Sequence, residues 1–190
     1  MNRSEQKEKR RQDILNAGLD LFIRKGYSAT RTSDIANAVG MSEGLLFHYF
    51  ETKEKLYLAL LQIAVHGKDN VFKMKDIKPL AFFENAAKTI LDYILINPFA
   101  AKLFVLMNRA QYDGILSENT RNYSMRQKDI DIAVKIVLQG QKEGSIRDGD
   151  PLALATAFFM SIQGIAENIE RNPEMPVPKP EWLVDIVRRK

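Results

Sequence analysis

The chain has 190 residues, 45% of them apolar and 27% charged, with no cysteine and a net charge of +4. That size and balance suit a globular protein of one large domain, or a small domain joined to a medium one; a disulfide framework, a thiolate metal site and a cysteine nucleophile are excluded. The charged start MNRSEQKEKRRQD is not a signal peptide, and the longest apolar run, 152–165, is broken by Ser161, Gln163 and Gly164 before the roughly 20 residues of a membrane span, so a cytoplasmic protein with no membrane partner is expected.

No stretch alternates with period two between turn signals, so the expected class is all-α, with about nine helices. Arg3, Lys7, Lys9, Arg10 and Arg11 crowd the first residues against Glu5 and Glu8. They form either a solvated, frayed terminus or an arm that reaches phosphates or a minor groove. Ile14, Gly18, Leu21 and Phe22 make one stripe of a first helix. Arg24 and Lys25 suit its negative end, and Gly26 supplies the left-handed exit. A short second helix follows ATRT, carries Ile35, Ala36 and Val39, and closes at Gly40. Ser42 caps a third helix with Glu43 in its first turn, and Thr52 caps a fourth beginning KEKLYLALL. Two short helices joined by about four residues including a glycine have the spacing of a helix-turn-helix, here over about residues 31–50.

Longer helices follow. One lies between Pro79 and Pro98, and PFAAKLFVLMNRAQ comes directly after it. A long helix is predicted over 118–143, ended by Gly144. Another opens with Asp150 as N-cap and Pro151 at the first position. The proline-rich NPEMPVPKPEW is a loop before a last helix, Trp182–Arg189. The expected organisation is a three-helix helix-turn-helix domain at 1–60 and a helical bundle at 61–190, with the joint in or just after the fourth helix.

The third helix raises a question of direction. Neighbours on a helix lie about 100° apart, so Phe47, His48 and Tyr49 cannot all face a core. Leu46 and Phe50 mark the core side, with Phe47 and Tyr49 at its borders. Gly44 and His48 point outward. A glycine weakens a helix by about 0.5–1 kcal/mol relative to alanine, but it lets another molecule approach the backbone. A major groove gives such a face a purpose, because base edges need close access and phosphates need donors alongside. Tyr49 offers its hydroxyl at the border. Lys53 places a cation at the start of the fourth helix, and Thr30, Arg31 and Thr32 stand at the start of the second.

The stretch GYSATRTSDIANAVGMSEGLLFHYFETKEKLYLALL resembles the N-terminal domain of the TetR family of bacterial transcription regulators. The likeness rests on Gly26-Tyr27, Asp34-Ile35-Ala36, Val39 to Ser42, Gly44 to Phe50, Lys53-Glu54 and Leu56, and covers about Ile14–Leu61. It implies that Ser42–Phe50 is a recognition helix for double-stranded DNA. The contact residues it implies are Arg31, Thr32, Ser42, Glu43, Gly44, Phe47, His48, Tyr49 and Lys53. Phe47 stands where the family often has tyrosine, which leaves apolar contact such as a thymine methyl. Arg31 replaces a frequent serine or threonine and exchanges a helix cap for a direct phosphate contact.

The same resemblance implies an effector-binding and dimerisation role for the rest of the chain. Phe83, Phe104, Met107 and Phe159 are candidate apolar lining for a small, hydrophobic effector, and Asn108, Gln111 and Gln163 are candidate polar handles. At helical spacing all of them also read as ordinary core or surface residues. The Leu152–Ile169 helix is apolar around much of its girth, with Ala153, Ala155, Ala157, Ser161 and Gly164 permitting close approach. With the last helix it is expected to form a four-helix homodimer interface. Two copies would address half-sites about 34–36 Å apart.

No P-loop, GxSxG or HExxH is present, and His48 and His66 lack metal-ligand spacing. No catalytic residue, metal or cofactor is expected. The function implied is a homodimeric, ligand-responsive repressor of a palindromic operator, in which effector binding shifts the fourth helix. The alternatives are a DNA-bound helical adaptor without an effector, and a helical protein-interaction module.

Overall fold

The computed structural model describes residues 2–72, 77–110 and 126–190. Gln111 and residues 118–125 of the predicted long helix lie outside them. Among the described residues the chain is nine α-helices: α1 Arg3–Lys25, α2 Thr32–Ala38, α3 Glu43–Tyr49, α4 Lys53–Phe72, α5 Pro79–Ile96, α6 Pro98–Ala110, α7 Arg126–Lys142, α8 Pro151–Arg171 and α9 Pro180–Val184.

The helix ends follow local chemistry. Ser42 Oγ accepts from the Leu45 amide at 3.3 Å, Thr52 Oγ1 from Lys55 at 3.1 Å, and Asp150 Oδ1 from Ala153 at 2.8 Å. Each satisfies an amide that the helix itself leaves unpaired. Gly26 and Gly40 close α1 and α2 with φ of 81° and 66°, a region that favours glycine. Asn97 separates α5 from α6, and the two axes bend by 115° there.

The N-terminal bases are neither frayed nor an extended arm. Asn2 Oδ1 accepts from the Glu5 amide at 2.8 Å, and the Glu5 carboxylate accepts from the Asn2 amide at 2.9 Å. This reciprocal capping box starts α1 at Arg3 and makes the basic segment helical.

The C-terminus also departs from expectation. The last helix is Pro180–Val184, and the chain then turns. The Arg147 amide donates to Val187 O at 2.9 Å, and the Arg189 amide donates to Ser145 O at 3.2 Å, so the end straps the α7–α8 loop. Val187 and Ile146 are fully buried beneath this strap. The apolar pair Val184 and Val187 has helical spacing, and the second of them is buried from the hydrogen-bonded turn that follows α9, where the Val187 amide donates to Val184 O at 3.0 Å.

Two hydrophobic cores result. The first joins Ile14, Leu15, Leu19 and Phe22 of α1, Ile35 of α2, Leu46 of α3 and Leu56, Tyr57 and Leu60 of α4; Leu103, Val105, Leu106 and Ala110 of α6 complete it. The second holds α5, α7, α8 and α9 around edge-to-face contacts of Phe83 with Phe82 at 5.3 Å and with Phe158 at 4.9 Å. Packing therefore crosses the boundary drawn at residue 60, because α6 lends its apolar stripe to the head. Lys102 of α6 pairs with Asp20 of α1 at 2.5 Å, and Arg109 donates to the Ile23 carbonyl.

α8 comes closer to a membrane span than expected, since by length and composition alone its 21 residues pass for one. One stripe of it, Ala155, Phe158, Ile162 and Ala166, is buried in the second core. Such a helix in a folded core is weak grounds for a membrane role.

Candidate functional site

The α3 helix presents the face drawn from the sequence. Leu46 and Phe50 are buried in the head core, while Ser42, Glu43, Gly44, Phe47 and His48 are exposed. Tyr49 is half-buried and packs against that core. Phe47 is 42% exposed, which moves it from the core border to the outer face. A β-carbon added at Gly44 would meet nothing within 4 Å, so the protein itself sets no steric demand for glycine there.

Leu45 was missed. It is 39% exposed and flanks His48 on the side away from Phe47. The outer face is thus a low centre of Gly44 and His48 between two apolar shoulders. Within GLLF either leucine suits a core; the i,i+4 pairing of Leu46 with Phe50 is the signal that assigns Leu45 outward.

Polar contacts fix α3 against its neighbours. Thr32 Oγ1 at the start of α2 donates to the Glu43 carboxylate at the start of α3. Glu43 therefore holds the two helix N-termini together, in addition to complementing the helix dipole. Arg31 provides no side-chain cap to α2, as expected from the loss of a hydroxyl. Asp34 substitutes, accepting from the Arg31 amide at 3.3 Å and from Lys25 Nζ at 3.1 Å. The Lys25 hydrogen bond, then the Arg31 amide, hold the Asp34 carboxyl below the usual carboxylate range. Arg31 itself is exposed beside these groups.

Two residues expected to meet phosphate are occupied within the protein. Thr30 is 1% exposed, and its hydroxyl donates to Gly26 O at 2.7 Å and Leu21 O at 3.2 Å. Lys53 Nζ donates to Tyr27 O and Thr30 O, each at 2.8 Å, and sits 4.2 Å from the centre of the Tyr27 ring. Burial lowers the basicity of this amine. Lys53 is thus first a clamp on the α1–α2 turn, with one of its three N–H groups left beyond the two carbonyls. At the sequence level a lysine at a helix start does not reveal whether carbonyls of a distant turn lie above it.

The second group of predicted residues does not converge on one site. Phe83 is fully buried in the second core, while Phe104 and Phe159 are half-buried against it. Met107 instead packs against the head core. Asn108 and Gln163 do meet: both side-chain amides donate to the same Glu167 oxygen, each at 3.0 Å. Glu167 was not anticipated. Its only sequence signal is the i,i+4 spacing from Gln163. The contact joins α6 to α8, on the helix that also completes the head.

Comparison with known proteins agrees with this geometry. Residues 14–60 match the family described as bacterial regulatory proteins, tetR family. The chain is 29% identical over 157 residues to the HTH-type transcriptional regulator RutR of Escherichia coli strain K12, covering 81% of this chain and 72% of that one. It is 24% identical over 163 residues to the HTH-type transcriptional repressor NicS of Pseudomonas putida KT2440, covering 83% and 74%. Its fold resembles that of AibR in complex with isovaleryl coenzyme A and operator DNA, with TM-score 0.69, 20% identity and coverage of 93% and 94%. Helix order, the helix-turn-helix and these likenesses lead to one conclusion: residues 14–60 form a DNA-binding head of the kind described as bacterial regulatory proteins, tetR family, within a chain whose fold is similar to that of TetR-like regulators.

Proposed function

We propose that this protein is a transcription repressor that binds a palindromic operator as a homodimer and is released by a small, apolar effector held in the larger domain. The observation that carries the DNA reading is the exposed outer face of α3, where Gly44 and His48 lie between Leu45 and Phe47 and the rest of the helix is anchored in the head core. A bare backbone at Gly44 admits base edges, and His48 offers ring nitrogens to them. Arg31, Thr32, Ser42, Tyr49 and the remaining N–H of Lys53 border the same face and are assigned to phosphate and sugar contacts, Phe47 to apolar contact such as a thymine methyl, and the acceptor-only Glu43 to a base-edge donor. The protein acts in the cytoplasm, where the duplex is, and no catalytic step is assigned to it.

The dimer reading is supported by α8. Only 22% of its most apolar 18-residue window is buried within the chain. Leu152, Ala153, Ala157 and Gly164 are exposed, and small residues there let a second α8 approach closely. The last helix, expected beside α8 in this interface, is only the five residues Pro180–Val184, and we assign the second place to α7, which exposes Leu138.

Effector control requires that the effector bind the two head arrangements with different affinity. AibR, a neighbour in fold, was captured with both isovaleryl coenzyme A and operator DNA. Here α6 as well as α4 spans the route. It meets Glu167 of α8 through Asn108, and meets α1 through Lys102 and Arg109.

Selection of duplexes from a random pool, followed by binding of His48→Ala, tests the reading. The variant is expected to alter base preference at one position of each half-site, with discrimination there falling by about 1–3 kcal/mol. Unchanged preference would remove His48 from the reading face; failure of the parent to enrich any duplex would remove the DNA function.

A further inference from the structure

We propose that the N-terminal overhang of α1 is a second DNA-contacting surface, a basic helical rail that lies along the phosphate backbone beside the groove entered by α3. This rests on the DNA reading above and extends it to residues outside the helix-turn-helix.

Residues 2–10 are exposed throughout, although helix α1 already begins at Arg3. The first two turns therefore project beyond the head with no tertiary packing. Isolated helical turns are marginal in water, so the Asn2–Glu5 capping box matters for keeping this segment ordered. Its charges are sorted. Arg3, Lys7, Arg10 and Arg11 fall within about 100° of arc, whereas Glu5, Glu8 and Asp13 lie on the remaining surface. Lys9 is the one base among those acids. Glu5 is engaged in the cap, and Glu8 lies 4.0 Å from Arg11. The basic stripe continues the line of Ile14 and Gly18, and Gly18 faces Leu56 of α4.

The stripe also has an address. The Arg11 guanidinium sits 5.1 Å from the centre of the Phe50 ring, and Phe50 is the C-cap of α3. The rail thus begins at the end of the reading helix, one residue beyond Tyr49. Arg3 lies eight residues further out, about 12 Å along the axis. That reach spans roughly two phosphates on one strand, which are spaced about 3.4 Å per base pair along the axis but spread by the curve of the backbone. Helical structure also decides between the two targets of a basic terminus. A helix is about 10–12 Å across with its side chains, and a minor groove is about 6 Å wide, so this segment meets the backbone from outside.

The test uses the full chain and a duplex recovered by the selection described above. Binding is followed against salt for the parent, for Arg3→Ala/Lys7→Ala/Arg10→Ala, and for a control that removes three exposed bases elsewhere, Lys142→Ala/Lys179→Ala/Lys190→Ala. Arg11 is left in place because it packs on Phe50, and circular dichroism checks that the variants fold. The rail predicts that the log–log slope becomes shallower by roughly 2 per subunit, about 4 for the dimer, in the first variant, while the control keeps the parental slope and both retain the parental base preference. A first variant with the parental slope, or a control that loses as much slope as the first variant, overturns the rail and leaves the α3 reading intact. A parent that binds no duplex overturns both.

Discussion

The two halves of the molecule are held together by different kinds of information. In the head, helices of seven residues, α2 and α3, are each closed by a glycine or a capping side chain within a few positions of their ends. In the larger domain, helices of 17 to 21 residues meet through buried faces whose partners lie far away in sequence. Short helices cannot persist on packing area alone, so their limits are written locally. Long helices need no such punctuation, and their mutual arrangement is set by shape. α6 belongs to both regimes: it is punctuated locally by Asn97 and Pro98, yet much of its apolar stripe is buried in a core built by residues 14–64.

The largest effect that follows concerns this borrowed helix. A fragment ending at residue 72 lacks Leu103, Val105, Leu106 and Ala110 from the head core. At about 1.5–3 kcal/mol for each large side chain, the loss is on the order of 5 kcal/mol, comparable with the whole stability of a small domain. Thermal unfolding followed by circular dichroism is expected to show no cooperative transition for the fragment and a sharp one for the full chain. A fragment that unfolds cooperatively would mean that the head is complete without α6.

A smaller effect probes the larger domain. An alanine β-carbon at Gly140 would fall 2.5 Å from Ile146 Cδ1 and 2.9 Å from Pro79 Cβ, where α7 meets the α7–α8 loop and the start of α5. Gly140→Ala is expected to destabilise by about 1–3 kcal/mol after overpacking outweighs the gain in helix propensity. Urea denaturation should show a lower midpoint with an unchanged slope. A stabilised variant would show that Ile146 and the α7–α8 loop give way freely.

The smallest effect separates clamp from contact at Lys53. Replacing it with methionine keeps much of the stem but removes two hydrogen bonds to Tyr27 O and Thr30 O. Because solvent reaches this site, a loss of about 1 kcal/mol is expected. The salt slope of DNA binding should change by no more than about one phosphate. If stability is unaffected and the slope falls further, the amine serves the duplex rather than the turn.

These contrasts explain what could be read from the sequence. The caps at Ser42, Thr52 and Asp150 are local chemistry, and they stand where the residue types placed them. The outward direction of Gly44 and His48 followed from helical geometry and the buried pair Leu46 and Phe50. What escaped involves residues distant in sequence. The Lys53 ammonium spans 26 positions to Tyr27, and Asn108 spans 59 to Glu167. The turn at residues 185–187 escaped because three-residue apolar spacing also reads as a continuing helix. The candidate effector residues Phe83 and Met107 fell into separate cores, since an apolar stripe names a face and not its partner.

The central claim is that a bare patch of α3 meets the duplex, and Gly44→Ala tests it most directly. Nothing in the protein opposes the added methyl, so the variant should gain about 0.5–1 kcal/mol of helix stability in thermal melts. In anisotropy titrations at fixed salt the same variant should bind the selected duplex at least about tenfold more weakly, a difference of about 1.4 kcal/mol. A variant that is more stable and binds with parental affinity would contradict the claim, because the methyl would then stand in open solvent in the bound state as well.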